Sequence, residues 1–330
     1  MKLTTSYLGL SLKNPFLLGA CPISADMDQL SRVLDAGAGG LVMHSLFEEL
    51  QATREMAEPL DPELTGGSIP PSMRPSQPRA QAACEEYLEQ LVRIKRRTAV
   101  PVIASLSGAT DEGWLHYARN LEDAGADAIE LNLYPLSFDA ERSASLLEEQ
   151  LIETVRRVAQ AVRLPVAVKL APFYSSLPNL AKRLVLAGAR GLTLFNRYYE
   201  PDIDTETLTL EPRLSLSTSS ELHLRLRWIA ALSTRISASL SASGGVHTPQ
   251  DALKAILAGA DTVQVVSAVL QRGPQVFAEL ESQLKEWLVS HAYDGLDQAR
   301  GVMSLSRCRD ATFYQRGNYL KLLQAWRPPR

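Results

Sequence analysis

The sequence predicts a (β/α)8 barrel. Three observations carry that expectation: a short phrase that recurs four times, eight apolar runs of strand length, and helical patterns between those runs. The phrase is Ala-Gly-Ala, at Ala36-Gly37-Ala38, Ala124-Gly125-Ala126, Ala187-Gly188-Ala189 and Ala258-Gly259-Ala260. Each copy closes an amphipathic stretch and opens a short apolar run. Glycine suits the left-handed position just past a helix C-terminus. The runs are rich in Val, Ile and Leu and mostly do not alternate, as expected of parallel strands buried on both faces.

In order, the strands are expected at about 16–20, 39–43, 101–106, 127–133, 165–170, 191–195, 236–242 and 262–266. Helices are expected near 26–36, 83–97, 111–124, 145–162, 177–187, 220–233, 248–258 and 273–288. Alternating strands and helices imply a parallel sheet with right-handed crossovers. Eight such units suggest a closed barrel. An open dinucleotide-binding sheet is disfavoured because no Gly-x-Gly-x-x-Gly follows the first strand. Three segments lie outside the repeat. Residues 3–12 look like a hairpin that plugs the barrel bottom. Residues 52–80, rich in proline, are expected to form a lid over the mouth. Residues 292–330 are expected to add helices as a cap. No linker divides the chain, so 1–330 is expected to be one domain.

Composition narrows the function. The chain has 330 residues, 45% hydrophobic and 22% charged, with a formal net charge of -3, which argues against a nucleic-acid binder. The cluster Arg93, Lys95, Arg96, Arg97 is expected to be a cationic helix end facing water. Three scattered cysteines and five histidines without a ligand spacing suggest neither a disulfide framework nor a metal site. No signal core or long apolar run is present, so a cytoplasmic protein away from membranes is expected.

In a barrel the chemistry lies at the C-terminal strand ends. The first strand ends Gly19-Ala20-Cys21-Pro22, small enough to let a flat ligand approach. The second ends His44-Ser45, the fourth Asn132-Leu133-Tyr134, the sixth Phe195-Asn196. Lys169 ends the fifth, after Pro-Val-Ala-Val. Burying its ammonium alone is costly, so it meets either a carboxylate or an anionic ligand, and the ligand is the expectation. Asn132 and Asn196 are poor strand formers whose amides can read a planar heterocycle. Ser243-Gly244-Gly245 leads to Thr248-Pro249, a helix cap and first turn. Ser267-Ala268 follows the eighth strand. This pairing is a common phosphate site in barrels.

These motifs together resemble the soluble dihydroorotate dehydrogenase family. The resemblance rests on Asn-Pro-Phe at 14–16, Glu-Leu-Asn-Leu, Pro-Val-Ala-Val-Lys-Leu-Ala-Pro, Leu-Phe-Asn, Ser-Gly-Gly-Val and Gln-Val-Val-Ser-Ala. The segments 43–49 and 195–204 resemble a divergent bacterial branch, called dihydroorotate dehydrogenase-like. The resemblance implies FMN as cofactor. It places Lys169 beside the flavin pyrimidine edge, Asn132 and Asn196 toward substrate and flavin, and Gly244, Gly245 and Ser267 on the phosphate. Ala20, Cys21, Ser45, Ser243 and Ala268 complete the expected cofactor site. The departures are informative. The family carries Ser-Cys-Pro-Asn after Asn-Leu, with the cysteine as base, whereas here Tyr134-Pro135-Leu136 follows. His44 replaces a family lysine, and Leu216–Ser220 replaces a glycine pair.

The expected activity is therefore an FMN-dependent oxidoreductase acting on a small planar or carbonyl-conjugated substrate. Lys169 stabilises the flavin charge, and Tyr134 or His44 supplies acid/base chemistry. The expected partners are the substrate, a redox partner protein and a second copy of the chain. Three other readings stay open. One is a genuine dihydroorotate dehydrogenase with a substitute base. Another is a flavin- or partner-binding barrel without turnover. The last is a flavin-free sugar-phosphate enzyme in which Asp202 and Asp204 serve a metal.

Overall fold

The computed structural model describes residues 2–47, 77–108, 110–133, 137–197, 200–211, 215–314 and 319–327. Residues 52–76 of the expected lid, and Tyr134, lie outside the described residues. Two short antiparallel strands, β1 (Thr5–Tyr7) and β2 (Leu10–Leu12), open the chain. Then come β3 (Phe16–Leu18), β4 (Gly40–Phe47), β5 (Val102–Ser107), β6 (Ala128–Leu133), β7 (Val166–Leu170) and β8 (Gly191–Leu194). A second hairpin, β9 (Asp202–Asp204) and β10 (Thr209–Glu211), precedes β11 (Ser239–Ser243) and β12 (Thr262–Val265). Strands β3 to β8 with β11 and β12 close a parallel barrel in which β8 pairs with β11 and β12 returns to β3. Strands β5, β6, β7 and β12 are buried along their whole length, which is why their sequences do not alternate.

Helices α1 (Met27–Asp35), α2 (Gln77–Arg97), α3 (Asp111–Asp123), α4 (Ala144–Ala161), α5 (Leu177–Leu186), α6 (Leu222–Leu232) and α7 (Pro249–Ala258) connect successive strands. Several begin on side-chain caps, the one at Thr248 as expected. The Asp26 side chain accepts from the amides of Asp28 and Gln29, and Thr248 accepts from that of Asp251. The glycines of the four Ala-Gly-Ala copies all have positive φ. After β12 the chain forms α8 (Ser267–Arg272) and α9 (Val276–Ser290) rather than one helix from 273. Gly273, with φ of 86°, separates the two. The start of α2 corrects the expected lid boundary, since residues 77–80 are helical. Their Gln-Pro-Arg-Ala sequence suits a helix start, where proline is tolerated. Lys95 also departs from the expected solvated cluster: its ammonium lies 2.6 Å from Asp127, whose carboxylate also accepts the Val102 amide.

Beyond α9 lie α10 (Leu296–Ala299), a 3-10 turn at Ala311–Tyr314 and α11 (Tyr319–Ala325). This tail returns to the N-terminus, where Leu296 N–H donates to Lys2 O at 3.0 Å. No helix among the described residues is long and apolar enough to cross a membrane.

The β1–β2 hairpin fills the N-terminal end of the barrel. Its turn residues Leu8 and Gly9 both have positive φ, as a two-residue turn between right-twisted strands requires. Tyr7, Leu8 and Leu12 pack with Leu17, Val42, Ile103, Ala128 and Ala167. Gly191 makes room for the plug, because a Cβ there would overlap Leu8 Cδ2. The Tyr7 hydroxyl lies 3.2 Å from Thr193 Oγ1, fully buried. Truncating Tyr7 to Ala is expected to cost about 3–5 kcal/mol, by analogy with buried aromatic truncations. Tyr7→Phe removes only the hydroxyl and is expected to cost about 1 kcal/mol. Urea unfolding of the two variants checks both values; equal losses would show that the ring does not fill the barrel.

Candidate active site

The barrel's C-terminal end is built from two groups of side chains. One lies on or just past the ends of β3, β7, β8, β11 and β12 and lines a cavity. Ala20, Lys169, Asn196, Ser243, Gly244, Gly245 and Ser267, all expected at the mouth, line it together. The other sits on β4, β5 and β6. There Asn132 Nδ2 donates to the hydroxyls of Ser45 and Ser105, each at 2.8 Å. Those hydroxyls share a hydrogen bond of 2.9 Å. Asn132 is thus fixed to two neighbouring strands.

The floor of the cavity is polar and buried. Lys169 is 7% exposed and Glu130 is wholly buried, with Lys169 Nζ 3.6 Å from Glu130 Oε1. The expectation that Lys169 faces a ligand rather than a carboxylate is half the picture: it lines the cavity and pairs with Glu130. Glu130 Oε2 accepts from Thr193 Oγ1 and from Gln264 Nε2, both at 2.7 Å. Gln264 also lines the cavity. Gly19 is required beside it, because a Cβ would sit 2.7 Å from Val266 Cγ2 and 3.1 Å from Gln264 Cβ.

The opposite end of the cavity is a cradle of backbone and hydroxyl donors. Gly244 and Gly245 have φ of 88° and 80°. A Cβ on Gly245 would overlap the Leu222 backbone, and one on Gly244 would lie 2.8 Å from Arg225 Nη2. Ser217 stands in the stretch where the resemblance implied a glycine pair. Its hydroxyl lies 2.9 Å from Ser267 Oγ, 3.0 Å from His247 Nε2 and 3.4 Å from the Gly245 amide. Buried Arg225 donates from Nε to Ser243 O at 2.9 Å and from Nη1 to Glu221 O at 2.8 Å. Arg197 pairs with the Glu221 carboxylate at 3.1 Å. Among the described residues, Lys169, Arg197 and Arg225 line the cavity with one carboxylate, Glu221, and Glu130 lies beneath Lys169, which leaves an excess of one positive charge that favours an anion.

Other expected residues take supporting places. The Cys21 thiol is pushed up to about 11 by burial, despite the opposing pull of the Ile23 amide and the Lys169 charge. It is a neutral packing group. His44 stacks edge-on against Tyr87, with ring centroids 4.9 Å apart, and its Nδ1 lies 3.0 Å from Ser24 Oγ. Burial lowers its pKa, more than Glu86 raises it. Ser24 donates to Cys21 O at 3.1 Å, which assigns the His44 proton to Nδ1 and leaves Nε2 as an acceptor. Ala268 is fully buried in the core behind Ser267. The Asp204 carboxylate accepts from the amides of Glu206 and Thr207, shaping the turn between β9 and β10. Among the described residues no group of three or more His, Cys, Asp or Glu gathers to hold a metal.

Sequence reasoning missed Glu130, Gln264, Ser217 and Arg225 as site residues. Glu130 carried a signal: a carboxylate inside an apolar strand, two positions from Asn132, lies on the same strand face as that asparagine. Gln264 interrupts Thr-Val-Gln-Val-Val in the same way. Ser217 lay within the stretch 216–220 already marked as a departure, but nothing singled it out there. Arg225 carried no signal, because its contacts come from distant segments.

The family model for dihydroorotate dehydrogenase matches residues 2–288. The chain is 29% identical over 307 residues to dihydroorotate dehydrogenase B (NAD(+)), catalytic subunit, of Methanothermobacter thermautotrophicus, covering 91% of this chain and 98% of that one. It is 30% identical over 227 residues to a putative dihydroorotate dehydrogenase A (fumarate) of Aeropyrum pernix, covering 67% and 74%. It is 26% identical over 320 residues to the NAD-dependent dihydropyrimidine dehydrogenase subunit PreA of Escherichia coli, covering 91% and 76%. With the closed barrel and the match along most of its length, the chain belongs to the dihydroorotate dehydrogenase family, as an oxidoreductase acting on CH–CH groups.

Proposed function

We propose that the cavity holds FMN and that the protein moves a hydride between FMN and a small planar or carbonyl-conjugated substrate. One observation carries this reading: a buried lysine and a phosphate-type cradle line the same cavity. The residues fit the group. The cradle leaves no room for a Cβ at Gly245, and the orphaned, buried Gln264 Oε1 offers an acceptor to a heterocycle's N–H. Gly245, Ser217 and Ser267 would hold the phosphate, with Arg225 behind them. Lys169, Gln264 and Asn196 would meet the ring. FMN bound there supplies the redox chemistry. Lys169 contributes a fixed positive charge where the bound group gains electrons.

Substrate would lie over the β4–β6 side, near Asn132. His44 is neutral at pH 7 and can accept a proton at Nε2. A tyrosine ordinarily holds its proton at neutral pH, so Tyr134 suits proton donation, which favours reduction of an activated double bond. The relatives named as subunits support a redox partner protein for this chain as well. Their names also favour a second reading, a genuine dihydroorotate dehydrogenase with a substitute base.

Denatured protein is expected to release FMN, one per chain. Stoichiometric FAD, or no flavin after reconstitution, would contradict the cradle reading.

Dihydroorotate itself is expected to be a poor substrate. Its oxidation needs a proton removed from carbon, and general-base help is worth about 10²–10⁴-fold. The chain's cysteines are Cys21, Cys84 and Cys308. None follows Asn132-Leu133, and the Cys21 thiol is held too high to ionise at neutral pH. Stopped-flow mixing of oxidised protein with micromolar dihydroorotate should bleach the flavin slowly or not at all. Rapid, complete bleaching would establish the second reading.

A further inference from the structure

The carboxylate beneath Lys169 has an unusual division of labour. Both donors from Thr193 and Gln264 fall on Glu130 Oε2. Glu130 Oε1 is buried and has no hydrogen-bond partner among the described residues. It is the oxygen that faces the ammonium, 3.6 Å away. The clamp reaches further down. Thr193 donates to Glu130, so the Tyr7 hydroxyl, 3.2 Å from Thr193 Oγ1, must donate to Thr193. A chain of hydrogen bonds therefore runs from the plug to the floor of the cavity and fixes the carboxylate from below.

A buried ammonium left without a partner tends to discard its proton rather than stay charged. We propose that Glu130 is a positioning residue: it keeps Lys169 charged and anchored under the cavity, and so sets how readily the bound flavin accepts electrons. The flavin half rests on the FMN reading above. The ion-pair half does not, and the test separates them.

In flavin-free protein, Glu130→Gln, Lys169→Met and the double variant form a cycle read by urea unfolding. Each single change strands a buried charge or its partner, and is expected to lower the folding equilibrium constant by about a hundredfold or more. The double variant removes both charges and should recover most of that loss, folding even if a single variant does not. Losses that simply multiply would overturn the proposal. In flavin-loaded protein the two single changes remove charges of opposite sign, so a simple field effect would move the flavin reduction potential in opposite directions. The proposal requires the same direction, more negative in both, because losing Glu130 also discharges Lys169. Glu130→Asp, which keeps the charge, should stay near the parent value. A positive shift or no shift in Glu130→Gln would show that Lys169 keeps its charge unaided and would overturn the proposal. If the parent binds no FMN, the functional reading fails while the flavin-free cycle still decides the role of Glu130.

Discussion

The ion pair between Lys169 and Glu130 is the constraint around which the upper barrel is organised. A charge in a parallel barrel interior is expensive unless it is paired and hydrogen-bonded. Here four strands contribute to it: Glu130 from β6, Lys169 from β7, Thr193 from β8 and Gln264 from β12. Lys169 and Thr193 are paired directly across β7 and β8, and the long side chains of Glu130 and Gln264 reach them from β6 and β12. Below these groups the interior is apolar and filled by the plug, and above them lies the cavity. The floor is thus a polar layer between a packed core and the cavity.

The cradle obeys a different logic. It uses backbone amides, hydroxyls and the absence of Cβ atoms, and it leaves charge to Arg225 and Arg197. Ser217 supplies from a side chain what the resemblance implied a glycine pair would supply. The cost is a tighter site, since its hydroxyl already engages Ser267 and His247. Asp251 holds the same loop from beneath through Ser219 Oγ and the amides of His247 and Thr248.

The barrel was legible because its signals are local. Ala-Gly-Ala marks each helix exit, and strands buried on both faces show as unbroken apolar runs. The segment 52–80 misled at its end, because Pro78 is as compatible with a helix start as with a loop. Lys169, Asn196 and the Ser-Gly-Gly turn were legible because they are polar or glycine residues at the ends of apolar strands. Glu130 was not singled out, although it lies in such a strand, because its role depends on Lys169 and Gln264, distant in sequence. Lys95 misled for the same reason: its partner Asp127 lies 32 positions away. Arg225 and Ser217 come to the cradle only through the fold.

On the proposed reading, one cavity binds a flavin by its phosphate as well as by its ring. Titration of flavin-free protein with FMN and with riboflavin tests it most directly, because the two differ only in the phosphate. Charge-assisted hydrogen bonds from the cradle should make FMN bind about a hundredfold tighter than riboflavin or more. Equal affinities would contradict the account, since the residues around Gly245, Ser217 and Ser267 would then play no part in holding the ligand.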